Sequence, residues 1–314
     1  MVIHTVTFGR VPHGSFTKDF RVPRANAKRG NARITKVYNF AIPLVSGSSG
    51  EKLLLVRRLE RSRGFVGEQF TLLAMNIVAI IPARLESTRL ARKMLRNIGG
   101  VPLIGRVYEA VRASSVLADV IVATDSEEIF ELCKREGWNP RMTAETHRSG
   151  TERVHEVAQS VSASVYINVQ GDEPMARPEH IAALAELMSD PEVQVGTLKT
   201  PAAVEDVGNP HAVKVVTDKC GRALYFSRAT IPYDRDDART NCFKHLGFYA
   251  YRKSALNRFV SLPESILERS ERLEQLRFLE NGIPIYVAET AFDSIGVDTE
   301  EDLLRVEKEL RNKR

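Results

Sequence analysis

The stretch Ile77-Val78-Ala79-Ile80-Ile81-Pro82-Ala83-Arg84-Leu85-Glu86-Ser87-Thr88-Arg89 decides how this chain is read. Its first half is a continuous apolar run rich in isoleucine and valine. Such a run suits a strand covered on both faces, as at the centre of an open α/β sheet. In sheets of that kind ligands bind just beyond the carboxyl ends of the strands. Arg84, Ser87, Thr88 and Arg89 would emerge there, with Lys93 close behind. Two guanidinium groups, an ammonium and two hydroxyls suit a polyanion, most simply a nucleoside triphosphate. No GxxxxGK[ST] and no GxGxxG accompanies the strand, so side chains rather than a glycine-rich backbone would hold the phosphates. A solvated loop with scattered basic residues is the competing reading.

The rest of the body continues the α/β pattern. From Met75 onward, strand-like and helix-like segments alternate with ordinary connections. Helices are expected over 102–113, from Ser126, from Ser149, over 181–188, 253–260, 269–279 and 299–310. Asp125 with Glu128, Ser149 with Glu152, and Thr299 with Asp302 read as capping boxes. Buried strands are expected over 120–123, 165–169 and 283–287. Between residues 195 and 251 the pattern changes to β-rich segments without intervening helices, with a hairpin turn over 218–221. No internal repeat appears, so residues 75–314 read as one α/β domain with a β-rich insertion.

Composition narrows the class. Of 314 residues, 43% are hydrophobic and 27% charged, which suits an ordinary folded protein. No apolar run approaches the length of a membrane span. Cys133, Cys220 and Cys242 show no CxxC spacing, so neither a disulfide framework nor a zinc site is indicated, and a reducing compartment fits. The net charge of +5 is misleading. Residues 1–74 carry 13 Lys+Arg against 4 Asp+Glu, whereas residues 75–314 carry 32 against 36. The basic excess is confined to the leading segment, and the pI says nothing about nucleic-acid binding by the body. That leader is expected to be disordered. It reads as sequence upstream of a start at Met75, with a transit peptide or a basic interaction arm as alternatives.

Two carboxylates stand out. Asp172, in Gln170-Gly171-Asp172-Glu173-Pro174, follows a buried strand, where a carboxylate can hold a divalent metal against phosphates. The same residues are common turn punctuation. Asp298 precedes a helix that Thr299 and Asp302 already cap, which leaves its carboxylate free for a site; complementing the helix dipole is the alternative.

Eight strings occur in order: IPARLESTRL, VATDSEEI, HRSGTER, NVQGDEP, ALYFSRATIPYDRD, HLGFYAYR, LEQLRFLENG and GVDTEEDL. Together they resemble the 3-deoxy-manno-octulosonate (Kdo) cytidylyltransferase family over essentially all of residues 75–314. The resemblance implies a nucleotide-diphospho-sugar transferase fold, Rossmann-like, with a mixed sheet flanked by helices and a β-rich dimerisation and sugar-binding insertion. It further implies a cytoplasmic homodimer that joins Kdo to CMP from CTP for lipopolysaccharide synthesis, releasing pyrophosphate, with no nucleic-acid or membrane partner. A synthetase for another acidic sugar, such as sialic acid, is the nearest rival. By the same resemblance Asp172 and Asp298 would hold Mg²⁺, and Arg84 and Lys93 would complete the catalytic group. Ala83, Arg84, Ser87, Arg89, Lys93, Ser149, Gly150, Thr151 and Gln170 would bind the nucleotide. Arg228, His245, Tyr249, Glu274 and Gln275 would receive the sugar acid, with a guanidinium or imidazolium facing its carboxylate. One departure stands in the triphosphate loop. The family's Pro-Gly is Ala91-Arg92 here, which predicts a loop confined to ordinary φ/ψ.

Overall fold

The computed structural model describes residues 75–86, 90–236 and 242–312, and before them the backbone of His4–Thr5, Asn39–Leu44, Leu53–Ser62 and Phe65–Ala74. The opening strand β1 (Ile77–Ala83) is buried at every position. It alternates between two cores. Ile77, Ala79 and Ile81 face one layer with α1 (Leu103–Arg112), α2 (Glu127–Arg135) and α4 (Pro178–Leu187), through Ile104, Val107, Ile129 and Leu184. Val78 and Ile80 face the other, with α3 (Gly150–Ser160) and α5 (Lys253–Ser261), through Val154, Val157, Leu256 and Phe259. A period-2 element covered on both faces has no polar side, which is why the run reads as continuously apolar.

The partners of β1 in the main sheet are β2 (Asp119–Thr124), β3 (Asn139–Met142), β4 (Val165–Val169), β5 (Val195–Pro201), β6 (Lys214–Thr217), β7 (Ala223–Ser227), β8 (Phe243–Tyr251) and β9 (Tyr286–Glu289). They form one nine-stranded sheet. Across its centre the order is β3-β2-β1-β4-β8-β5-β9, with β8 antiparallel to both neighbours and the other pairings parallel. The antiparallel β6–β7 hairpin joins β8 at Lys214↔Lys244, beyond the end of β4. The chain runs outward from β1 to β3 and returns to β4, so a crevice opens above the carboxyl ends of β1 and β4. The mixed sheet agrees with the sequence reading; of the β-rich stretch between 195 and 251, β5 and β8 lie within the central sheet and only the β6–β7 hairpin lies at its margin.

A third apolar cluster brings distant segments to that crevice. Leu303 and Val306 of α8 (Glu300–Asn312) pack with Val297 against Leu90, Ile98 and Leu103. This seats the Asp298 segment beside the triphosphate loop.

Several local expectations change. The cap of α2 is Ser126, which accepts from Ile129 N, while Asp125 turns away to pair with Arg153. Ser149 does cap α3, but Glu152 returns to the backbone N–H of Arg148 rather than of Ser149. The single helix expected over 269–279 is two short ones, α6 (Ile266–Glu271) and α7 (Leu276–Glu280). Arg272, at φ 55°, breaks them. A buried bidentate pair between Glu268 and Arg277 then fastens one to the other. The strand expected over 283–287 begins later, at Tyr286. In the leader, where no regular structure was expected, the described backbone forms a separate four-stranded antiparallel sheet. Its two longest strands, Leu53–Ser62 and Phe65–Ala74, are each rich in apolar residues and separated only by Arg63 and Gly64, a hairpin spacing that net charge conceals.

Candidate active site

Lys93 organises the crevice. It is only 7% exposed, and its ammonium donates to Asp172 Oδ2 at 2.6 Å and to Asp298 Oδ1 at 3.1 Å. Burial alone would lower its pKa, but the two carboxylates outweigh burial and the net shift is upward. The cation is therefore secure at neutral pH. Asp172 follows β4, and its backbone oxygen accepts from Val297 N at 2.8 Å, which ties the two aspartate segments together. Asp298 is spared a capping role, as expected. Asp302 Oδ2 accepts from the backbone N–H groups of Asp298 and Thr299, and Thr299 Oγ1 accepts from Asp302 N.

Gly171 makes this convergence possible. A Cβ there would lie 2.7 Å from the carbonyl oxygen of Pro82 and 3.0 Å from Met94 Sδ. Only a residue without a side chain lets the end of β4 lie so close to the end of β1 and the lysine loop. In that loop Arg92 adopts φ 54°, ψ 36°. This corrects the expectation of ordinary φ/ψ: the arginine keeps the left-handed backbone that a glycine would take without strain, and its guanidinium pairs with Glu128 on α2.

On the nucleotide side, Ala83 is fully buried at the end of β1. Arg84 follows it, and its Nη2 is buried without a hydrogen-bond partner among the described residues. Ser87 and Arg89 lie outside the described residues. Gly150, at the start of α3, packs against the Gln170 amide, where a Cβ would lie 3.3 Å from Oε1. Thr151 is fully buried, and its hydroxyl donates to Glu274 Oε1 at 2.8 Å. These two residues, expected at opposite ends of the site, are thus bonded to each other and join α3 to the sugar-side segment.

A cleft of about 790 Å³ extends from Asp172, Asp298, Ser149 and Gln170 to Arg228, His245, Tyr249, Glu274 and Gln275. Every expected sugar-side residue lines it. His245 is buried, accepts or donates at 2.9 Å with Thr197 Oγ1, and burial depresses its pKa to about 3. It is a neutral imidazole, which corrects the imidazolium option. Burial pushes the Tyr249 phenol well up, so it too is neutral. Burial also raises Glu274, with the Thr151 and Ser149 hydroxyls pulling part of the way back. Arg228 is already engaged: Nε donates to Glu271 O at 2.7 Å and Nη1 to Pro210 O at 3.1 Å. Sequence reasoning missed Glu173, a cleft residue that burial and neighbouring Asp172 raise to about 7, and whose carboxylate accepts from Ser294 Oγ. Its signal was its position next to Asp172.

No cluster of three metal-ligating side chains exists among the described residues. Two carboxylates already converge on one cationic centre, however, and that donor set suits Mg²⁺, which takes few protein ligands and completes its shell with water and phosphate oxygens.

A mixed sheet with a crevice at its switch point and two aspartates converging on a buried lysine there defines a nucleotidyltransferase, and comparison with known proteins makes that specific. Residues 78–289 match the family described as Cytidylyltransferase. The 3-deoxy-manno-octulosonate cytidylyltransferase of Koribacter versatilis is 68% identical over 75% of this chain and 90% of its own. That of Acidobacterium capsulatum is 56% identical over 75% and 96%. A solved structure of CMP:2-keto-3-deoxy-manno-octonic acid synthetase complexed with CTP is 41% identical, with a TM-score of 0.73 over 76% of this chain and 100% of that one. A putative glucose-1-phosphate thymidylyltransferase from Bacillus anthracis shares the fold, at 14% identity and a TM-score of 0.56. The chain belongs to the 3-deoxy-manno-octulosonate cytidylyltransferase family.

Proposed function

We propose that this protein transfers CMP from CTP to Kdo, giving CMP-Kdo and pyrophosphate. The observation that carries the reading is the Lys93–Asp172–Asp298 cluster at the mouth of a cleft shared by nucleotide-side and sugar-side residues. The anomeric hydroxyl oxygen of the sugar attacks the α-phosphorus in line with the departing pyrophosphate. An oxygen–phosphorus bond forms, the bond to the bridging oxygen breaks so that pyrophosphate departs with that oxygen and the electron pair, and the hydroxyl proton passes to solvent. No covalent enzyme intermediate is needed, so positioning and charge stabilisation carry the rate. Arg84, whose buried Nη2 has no hydrogen-bond partner among the described residues, offers a guanidinium to the triphosphate. Ser149, Gly150 and Gln170 surround the nucleoside. Lys93 holds the two aspartates in register and adds positive charge beside the reacting phosphate. Asp172 and Asp298 would hold Mg²⁺, which when bound neutralises the phosphoryl oxygens and makes the sugar hydroxyl more acidic.

The sugar end is built for a neutral, hydrogen-bonding fit. His245 and Tyr249 are uncharged, Gln275 offers an amide, and the guanidinium of Arg228 supplies the positive field that suits a sugar carboxylate. Leu224 and Tyr233, 61% and 84% exposed on and beside the β-rich insertion, support pairing of two copies through that region. Among the described residues no helix is long and apolar enough to cross a membrane. The three cysteines are free, which supports a cytoplasmic setting.

Pyrophosphate release measured with CTP and Kdo, and in parallel with CTP and sialic acid, tests the substrate assignment. Kdo should be preferred in kcat/KM by at least about a hundredfold, since a site built to hydrogen-bond one substrate leaves polar groups unpaired with another. Equal or greater turnover of sialic acid would move the protein to a different sugar-acid specificity.

A further inference from the structure

Lys214 opens β6, in the run Val213-Lys214-Val215-Val216, and is fully buried. A lysine so placed is rare unless its ammonium is satisfied. Here it donates to the carbonyl oxygens of Asn209 at 2.7 Å, Ala212 at 2.6 Å and Arg228 at 2.8 Å. An ammonium has three N–H donors, so all are spent on backbone. The acceptors belong to two segments remote from each other in sequence, the loop before β6 and the end of β7.

Arg228 extends the same construction. Its guanidinium donates to carbonyls of Pro210 and Glu271. The Glu271 carboxylate in turn accepts from Ser227 Oγ at 2.6 Å and from Arg228 N at 2.9 Å. Lys214 and Arg228 thus form two linked knots that join the loop 209–212, the end of β7 and the segment leading into Leu273, Glu274 and Gln275. All three line the sugar end of the cleft, and the last also meets the nucleotide side where the Thr151 hydroxyl donates to Glu274.

We infer that Lys214 is a positioning residue for the sugar substrate: it fixes the Asn209–Ala212 loop against Arg228 and thereby sets the shape of the cleft wall that receives the sugar acid. The inference rests on the reading of that end of the cleft as the Kdo site. A plain stabilising lysine would leave the balance between the two substrates unchanged, whereas a positioning lysine acts on one of them.

The test is steady-state kinetics of Lys214→Met and of the milder Lys214→Gln, with KM for CTP and for Kdo determined separately. Calorimetric CTP binding in the absence of sugar and near-ultraviolet circular dichroism accompany it. Lys214→Met should raise KM for Kdo at least about tenfold, because small displacements of positioning groups have large effects on productive binding. CTP affinity should stay within about twofold, and Lys214→Gln, which keeps two donors, should fall between. Equal changes in both KM values, or no change in either, would overturn the inference. Failure of both variants to fold would make Lys214 a folding residue and overturn it as well. An active wild type with unaltered variants refutes the inference alone. A wild type that releases no pyrophosphate with Kdo refutes the functional reading and this inference with it.

Discussion

At the scale of single residues the site works by deciding which groups are charged. Lys93 stays protonated because two carboxylates outweigh its burial, while His245 stays neutral because nothing offsets its own. The second case has a measurable consequence. An unfolded imidazole titrates near 6.5, whereas in the fold His245 is depressed to about 3. Between those values the unfolded chain binds a proton that the native state refuses. The stability contribution is therefore complete above pH 6.5 and is lost as the pH falls toward 3, by roughly 1 kcal/mol per pH unit. Glu173, raised to about 7, acts with the opposite sign over part of the range, but it is common to wild type and variant and cancels in their difference. Urea unfolding of wild type and His245→Gln at pH 7 and pH 5 should show the variant gaining about 2 kcal/mol relative to wild type on acidification. Parallel pH profiles would mean that the imidazole titrates normally in the fold. The residue-level part of the site was legible in the sequence where a motif named it, as with Asp172, Asp298 and Lys93. It was not legible for protonation states, since His245 is neutral because Thr197 of β5, Phe226 of β7 and Tyr249 bury its ring.

Elements set the distances. The ends of β1 and β4 approach through Gly171, and α8 carries Asp298 to Lys93 by packing Leu303 and Val306 on the triphosphate loop. Gly171→Ala should therefore destabilise the protein by about 1–3 kcal/mol, because the obstructing atom is the backbone oxygen of Pro82 rather than a side chain that can swing away. Thermal and denaturant unfolding check this, and an unchanged midpoint would show that the two strand ends separate freely. Strands β1, β2 and β4 were legible because full burial leaves long apolar runs. Strand β3, Asn139–Met142, was not, since its residues are half-buried or exposed at the sheet edge. Nor was the break at Arg272, because local periodicity through Leu273, Leu276 and Leu279 continues across a turn that the Glu268–Arg277 pair imposes from outside. Asp125 misled for the same reason: its partner Arg153 is 28 residues away, and a local capping pattern cannot reveal it.

The whole molecule divides by charge and by pairing. Among the described residues the basic leader's strands pair with one another, and the acidic body carries the nine-stranded sheet and the cleft. The folded catalytic unit is proposed to begin at Met75. Protein lacking residues 1–74 should match the full chain in Tm and in kcat/KM for both substrates; failure of the shortened protein to fold would assign the leader a structural role. Within the body Asp172 and Asp298, held in register by Lys93, are proposed to perform CMP transfer. Each carboxylate should contribute several kcal/mol to the transition state through the charge it organises at the α-phosphate. The most direct test is pyrophosphate release from CTP and Kdo at saturating Mg²⁺ by wild type, Asp172→Asn and Asp298→Asn, each verified as folded by circular dichroism. Wild type should turn over and each variant should lose at least about a thousandfold in kcat, whereas near-normal kcat in either folded variant would remove that aspartate from CMP transfer.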